Sequence, residues 1–349
     1  MMTDLWSTLK EQKEPILMYG MGNGGDKLLA VCRQKGIEIS GVFASDGFAR
    51  GNLFHGMRVL TYGQAKEQFS SFTVLVTFAT SRPEVLSNIC RIASERPLFV
   101  PDLPVIGDNL FDLAFYTDHL AEFERARALF EDERSKKVFD LIIEAKLGGG
   151  LAPLLAGTGC PDEDFEELLC PESFAVTGDF GAYTGDTALD LLKRAPRIQK
   201  IVALEPDPKT FLKLQKNTEG LPVLPVHGAA WHENTTLTFT ASGGRGAGVG
   251  AVGKKTVTVP AICPDDLFEK GERVDYLKFD VEGAELQALE GCKRVISKSR
   301  PAMLISCYHR PEDLFLLPIY MKEHYPFYKL YLRRHYGIPA WDINLYAIP

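Results

Sequence analysis

The stretch Asp179-Phe-Gly181-Ala182-Tyr-Thr-Gly185-Asp186 follows the apolar run FAVTG and leads at once into ALDLLKR. Strand, glycine turn and helix in that order place the turn beyond the carboxyl end of a strand, where open parallel sheets bind ligands. Glycines there let the backbone turn tightly and let a ligand approach with no Cβ in the way. A dinucleotide fingerprint would aim such glycines at a pyrophosphate on the helix N-terminus. Here a carboxylate, Asp179, precedes the first glycine, which disfavours a pyrophosphate and favours a cationic ligand. About 20 residues on, the next strand ends in Ala203-Leu-Glu205-Pro, and an acid at that point can accept both hydrogen bonds of a ribose diol. The two signals together describe a nucleoside with a positive portion, and S-adenosylmethionine fits. A plain β-α turn and a surface glutamate would explain either motif alone, but explain the pair at this spacing less well.

A second cluster lies in Lys278-Phe-Asp280-Val-Glu282-Gly-Ala-Glu285 and in Cys-Tyr-His309-Arg-Pro-Glu. Methyl transfer from a sulfonium needs an oriented acceptor, and an alcohol acceptor also gains from a base that takes its proton. Asp280 ends a predicted strand, across the switch point from Asp179. Glu282 and Glu285 open the next helix, where anions are favoured in any case. His309 ends the following strand, and an ordinary imidazole titrates near neutrality. Asp280 or His309, with Glu282 beside them, are therefore the candidates for catalysis. Tyr308 and Arg310 are candidates to bind acceptor hydroxyls or phosphates. The spacing of Asp280, Glu282 and His309 is not diagnostic of a divalent ion, and no metal is expected.

The elements that must position these groups repeat a β-α-β pattern twice. ILMYGMG, IEISGVFAS and FTVLVTFAT read as strands, with GDKLLAVCRQKG and PEVLSNICRIA as helices. This order implies a parallel sheet. Gly20-Met-Gly22-Asn-Gly-Gly25 follows the first strand, and Asp46 comes about 20 residues later, which satisfies a dinucleotide pattern in its proper context. Residues 118–147 carry apolar positions at helical spacing and predict one or two connecting helices, ended by the glycines of LGGGLAPLLAGTG. FAVTGDFG, KIVALEP, LPVLPVHGAAW, VDYLKFDVEG and AMLISCYH read as a second set of strands. TTLTFTA and KKTVTVPA predict a hairpin around SGGRGAGVGAVG, a glycine-rich loop or substrate lid. The terminal YKLYLRRHYGIPAWDINLYAIP predicts a hairpin closing the sheet edge. The division expected is residues 1–117, a helical connector 118–171, and 172–349.

The 349 residues are 45% hydrophobic and 24% charged with a net charge of −7. That balance offers no field for nucleic acid, and no basic run suggests a membrane surface. The start of the sequence carries no secretory pattern. Seven scattered cysteines without a CxxC argue against a disulfide framework or zinc ribbon and for a reducing, cytoplasmic home. Homo-oligomerisation is left open.

From GDFGAYTGDT, ALEPDPKTFLKLQKN, LKFDVEGAELQALEG and RPAMLISCYHRPEDLFLLP, residues 172–349 resemble the FkbM-type S-adenosylmethionine-dependent methyltransferases. The resemblance implies an α/β chain whose C-terminal half is a class I methyltransferase fold, with a seven-stranded sheet and an antiparallel last strand. It also implies O-methylation of a sugar, glycan precursor or related hydroxyl compound. Asp179, Gly181, Ala182 and Gly185 then match the cofactor loop, Glu205 the ribose acid, and Ala229 and Ala230 the strand end beside adenine. The first region is similar to Rossmann-like domains fused to such proteins, and to nucleotide-binding domains of sugar acyltransferases. Gly20, Gly22, Gly25 and Asp46 are thus a second, nucleotide or nucleotide-sugar candidate site. Two other functions compete: an NAD-dependent oxidoreductase using that motif, and a non-catalytic nucleotide-sugar sensor. No Tyr-x-x-x-Lys constellation near the motif supports the former.

Overall fold

Short apolar runs between glycine turns give two parallel sheets, and the sheets face each other. The computed structural model describes residues 4–45, 47–240 and 256–349. In the first region, β1 (Ile16–Tyr19), β2 (Gly41–Ala44), β3 (Leu53–Phe54), β4 (Met57–Thr61), β5 (Thr73–Val76) and β6 (Leu98–Phe99) form a sheet ordered β3-β4-β2-β1-β5-β6. Its pairings are parallel except for the β3–β4 hairpin. Every residue of β1, β2 and β5 is buried, as parallel strands covered on both faces must be.

The second sheet uses β7 (Val176–Phe180), β8 (Lys200–Glu205) and β9 (Val223–His227). After it the chain forms a small satellite sheet from β10 (Ala229–Ala230), β11 (Thr235–Thr240) and β12 (Thr256–Ile262). β11 and β12 pair antiparallel, as the hairpin expectation required. The glycine-rich loop expected between them lies outside the described residues. β13 (Tyr276–Phe279), β14 (Ala302–Ser306), β15 (Lys329–Arg334) and β16 (Ile343–Ile348) complete a seven-stranded sheet ordered β15-β16-β14-β13-β7-β8-β9. β16 runs antiparallel to both its neighbours.

Residues 118–147 hold two helices, Leu120–Ala128 and Glu133–Gly148, as expected, and three more, Leu113–Asp118, Leu151–Ala156 and Pro161–Leu169, flank them. The glycines at 148–150 do end one helix, with Gly149 left-handed, but Leu151–Ala156 starts another. Pro153 sits in its first turn, where a missing N–H costs little. The helices do not merely link the sheets. One apolar cluster runs from Leu17 and Phe43 through Phe123 and Phe139 to Leu314 and Leu345. Within it Phe123 packs at 5.6 Å from Phe111 and 5.0 Å from Phe315, ring centre to ring centre. Lys146 Nζ, on a connector helix, lies 2.9 Å from both oxygens of buried Asp102. Burial pushes the Asp102 carboxyl up against the opposing pull of Lys146. Losing one partner of such a pair costs about 3–5 kcal/mol. Backbone bridges Thr80–Ile338, Phe99–Gly150 and Phe130–Leu330 tie the connection further. No helix among the described residues is long and apolar enough to cross a membrane. All seven cysteines are free thiols.

Candidate active site

Each sheet has a switch point, where strand order reverses and the carboxyl ends open a crevice. In the first sheet it lies between β1 and β5, and in the second between β13 and β7. Both open on one cavity of about 700 Å³, within the usual range for ligand sites. Its first wall carries Asn23, Lys27 and Ala79–Arg82; its second carries Gly181, Tyr183, Glu205, Ala229, Ala230, Asp280 and Glu282.

The turn after β7 is shaped by its glycines. Gly181 has φ +88°, and a Cβ there would lie 1.8 Å from the Asp280 carbonyl oxygen. Only glycine lets the chain pass so close to the adjoining strand end. Tyr183, a non-glycine, is also left-handed at φ +47°. That arrangement concentrates strain at the cavity wall.

Glu205 ends β8, is 7% exposed, and accepts the Asp207 N–H at 2.8 Å. Burial pushes its carboxyl up to about 7, against the pull of the backbone donors of Asp207 and Tyr183. No cation lies within ion-pair reach of it among the described residues. A buried acid lacking a cation and facing a cavity fits two hydrogen bonds from a ribose diol, and the bare Gly181 turn fits close approach of a nucleoside. Six carboxylates, Asp186, Glu205, Asp207, Asp280, Glu282 and Asp342, line the cavity against the three cations Lys27, Arg82 and Lys278, so a cationic ligand is favoured there.

A pH dependence follows. In the free protein the raised Glu205 carboxyl favours folding below its ordinary range, an advantage lost as pH rises through about 7. Diol binding works the other way, because it needs the ionised form. S-adenosylhomocysteine affinity is therefore expected to weaken about tenfold from pH 8 to pH 6. Titration calorimetry checks this, and Glu205→Gln should flatten the profile.

Asp179 does not form an open acidic notch. Its side chain is 2% exposed, is absent from the cavity wall, and lies 3.6 Å from Lys278 Nζ. Burial raises its carboxyl, with Lys278 opposing. Ala182 and Gly185 are likewise off the wall; Ala182 is packed with Ala203 and Leu214. Lys278 carries more than its sequence position suggested. It lies 3.3 Å from Asp280 and neutralises the floor. Burial would lower its ammonium, but Asp280 and Asp179 hold it raised. A lysine inside the otherwise apolar run YLKF was the available signal for a buried charge pair.

Asp280 reaches the cavity half-buried. Burial pushes its carboxyl up, but Lys278 and His309 outweigh this and hold it below the ordinary carboxylate value. It stays ionised at neutral pH. Tyr308 Oη lies 3.5 Å from its Oδ1, at the outer limit of contact.

His309 does not fit the free-base role. It is 1% exposed and lies behind the wall, 2.9 Å from Glu285, 3.5 Å from Glu282 and 3.6 Å from Asp280. Burial lowers an imidazole, yet these carboxylates hold it up at about 10. At neutral pH it is an imidazolium with no lone pair to offer. Glu285, read from sequence as a helix-end charge, is buried, and its Oε1 accepts the Val281 N–H at 2.9 Å. Arg310 is turned inward, donating from Nε to the Gly283 carbonyl at 2.8 Å.

The first-domain motif is redirected. Gly20, Gly22 and Gly25 are not on the cavity wall, and Asp46 lies outside the described residues. A Cβ on Gly20 would lie 2.6 Å from Thr77 Oγ1 and one on Gly25 3.0 Å from Phe54. Protein packing and a φ of +111° require glycine at Gly20, and a side chain at Gly25 would crowd Phe54. The helix they open, Asn23–Lys35, instead presents Asn23 and Lys27 to the shared cavity. Lys27 Nζ donates to the carbonyls of Pro104 and Val105 at 2.6 and 3.0 Å, and burial lowers its ammonium. Among the described residues no carboxylate lies within ion-pair distance of it.

Residues 179–335 match the family model of the methyltransferase FkbM domain. The fold is similar over 96% of this chain and 90% of the other to the FkbM methyltransferase of Methylobacillus flagellatus, at TM-score 0.71 and 18% identity. Precorrin-6y C5,15-methyltransferase of Geobacter metallireducens aligns over 52% of this chain and 83% of its own, at TM-score 0.35 and 15% identity. Aeropyrum pernix fibrillarin, solved with S-adenosyl-L-methionine bound, aligns over 57% of this chain and 74% of its own, at TM-score 0.35 and 17% identity. No curated protein matches the chain. With its site built at the switch point of such a sheet, the segment 179–335 belongs to the methyltransferase FkbM domain family, and the chain is an S-adenosylmethionine-dependent methyltransferase.

Proposed function

We propose that the chain O-methylates a sugar or a nucleotide-linked sugar held between its two sheets. The observation that carries this is the shared cavity, acidic on the wall of the second sheet and bearing on the other the ammonium of Lys27, which donates to two backbone carbonyls and makes no direct ion pair among the described residues. When bound, the cofactor supplies an electrophilic methyl group. Glu205 and the Gly181 turn orient its nucleoside, and Ala229 and Ala230 offer a small, flat contact for adenine. Asp280, ionised and on the wall, accepts the acceptor's hydroxyl hydrogen bond and takes its proton as the new C–O bond forms. Glu282 lies beside it for relay to solvent. Lys27, with Asn23 at the start of its helix, engages an anionic group such as phosphate on the far end of the acceptor. That arrangement gives the first domain a part in acceptor choice and makes a separate nicotinamide site unnecessary. Free thiols, three of them exposed, suit the cytoplasm.

Lys27→Met tests the reading. With an anionic acceptor, KM is expected to rise about tenfold or more, the scale of one charge-assisted hydrogen bond, while S-adenosylhomocysteine affinity holds. With the matching neutral acceptor, KM should barely move. Equal effects on both acceptors, or none on either, would remove the first domain from acceptor recognition.

A further inference from the structure

The imidazole of His309 is placed to do more than balance charge. Its side chain is 1% exposed, and Nε2 makes no hydrogen bond. Nε2 points between Asp280 Oδ1 at 3.6 Å and Glu282 Oε2 at 3.5 Å. Both separations are too long for a hydrogen bond. They are close to the spacing of neighbouring donors around one ion with bonds of about 2.0–2.2 Å. Behind the ring, Nδ1 lies 2.9 Å from Glu285 Oε1, which the Val281 N–H holds in place. A carboxylate behind a metal-binding imidazole fixes its orientation and raises its basicity. In front, Asp280 and Glu282 both reach the cavity wall. Glu282 reaches it through a left-handed backbone, φ +53°.

We propose that His309 Nε2, Asp280 Oδ1 and Glu282 Oε2 form a three-donor site for a first-row divalent cation. Its remaining coordination positions open to the cavity, and Glu285 acts as the positioning residue behind it. The mixed nitrogen and carboxylate donors suit Mn²⁺ or Zn²⁺. Loading displaces one proton from the imidazole to solvent, so the cluster keeps a cation at its centre in either state. The open position would take an alcohol or water oxygen. The site stands apart from the acceptor assignment, because it is measured with no acceptor present.

The test uses the full-length protein stripped with chelator and titrated with Mn²⁺, followed by electron paramagnetic resonance, and with Zn²⁺, followed by calorimetry. One saturable site per chain for either ion is expected. Asp280→Asn and Glu282→Gln should each weaken it about tenfold or more, and Glu285→Gln about 10–100-fold. Circular dichroism melting identifies which of these wall variants are folded, and either one suffices. The proposal is overturned if neither ion saturates, or if binding is unchanged in a folded Asp280→Asn or Glu282→Gln protein. His309 is then only the imidazolium counter-ion of its three carboxylates.

Discussion

Asp280→Asn is expected to lower kcat for methyl transfer by about 10²–10⁴-fold, the usual contribution of a positioned base, while leaving S-adenosylhomocysteine affinity within a few-fold of wild type. The split follows from position. Asp280 faces the cavity from the end of β13, whereas the groups assigned to the nucleoside lie on β7, β8 and the satellite sheet. Asparagine keeps the shape and an oxygen for Lys278, now 3.3 Å away. What it removes is the charge held ionised by Lys278 and His309. Because that carboxyl is held low, its own protonation produces no loss of rate near neutrality. Single-turnover methylation beside equilibrium binding separates the two effects. A variant that methylates at the wild-type rate would move the base elsewhere, with Glu282 next in line.

Gly181→Ala is expected to be nearly as damaging, through the backbone. The added methyl would lie 1.8 Å from the Asp280 carbonyl oxygen and 2.7 Å from its carbonyl carbon, at φ +88°. Neither neighbour is a side-chain tip that can swing away. The conformation alone costs an L-residue about 1–3 kcal/mol, and relief of the clash must separate β7 from β13 where both meet the cavity. Thermal melting should fall by several degrees, and S-adenosylhomocysteine affinity by about tenfold or more. Wild-type values of both would mean that the turn has slack its packing does not show.

Much of this architecture could be read from local sequence. Alternation of apolar runs with glycine turns marked the strands of both sheets, because the central strands bury nearly every residue and need an apolar run to do so. Gly181 and Glu205 stood out because their chemistry depends on a short, fixed spacing along the chain. Other features depend on residues far apart in sequence. His309 looked like a free base, and only the fold surrounds it with Glu285, Glu282 and Asp280. Asp179 looked like an open acid, and only the register of β13 against β7, pairing Lys278 with Asp179, brings a buried ammonium to it. Lys27 gave no signal at all, since its meaning rests on a cavity wall more than 150 residues from the catalytic strand ends. The two helices of 118–147 were legible from their apolar spacing, but the glycines after them were read as an end, and here Gly149 stops one helix while Leu151–Ala156 forms the next, with Pro153 in its opening turn.

The apolar cluster that joins the two sheets sets what can be exchanged between relatives of this enzyme. Phe123 is flanked by Phe111 on one side and Phe315 on the other, so a chimera cut anywhere near the connector would inherit half of a mosaic cut to fit a different half. If the first domain reads the acceptor as proposed, diversification of acceptor choice is confined to the rim. The tip at 79–82 and the cavity-facing Asn23 and Lys27 can drift while the interior stays fixed, as a lock is re-keyed by changing its pins and not its barrel.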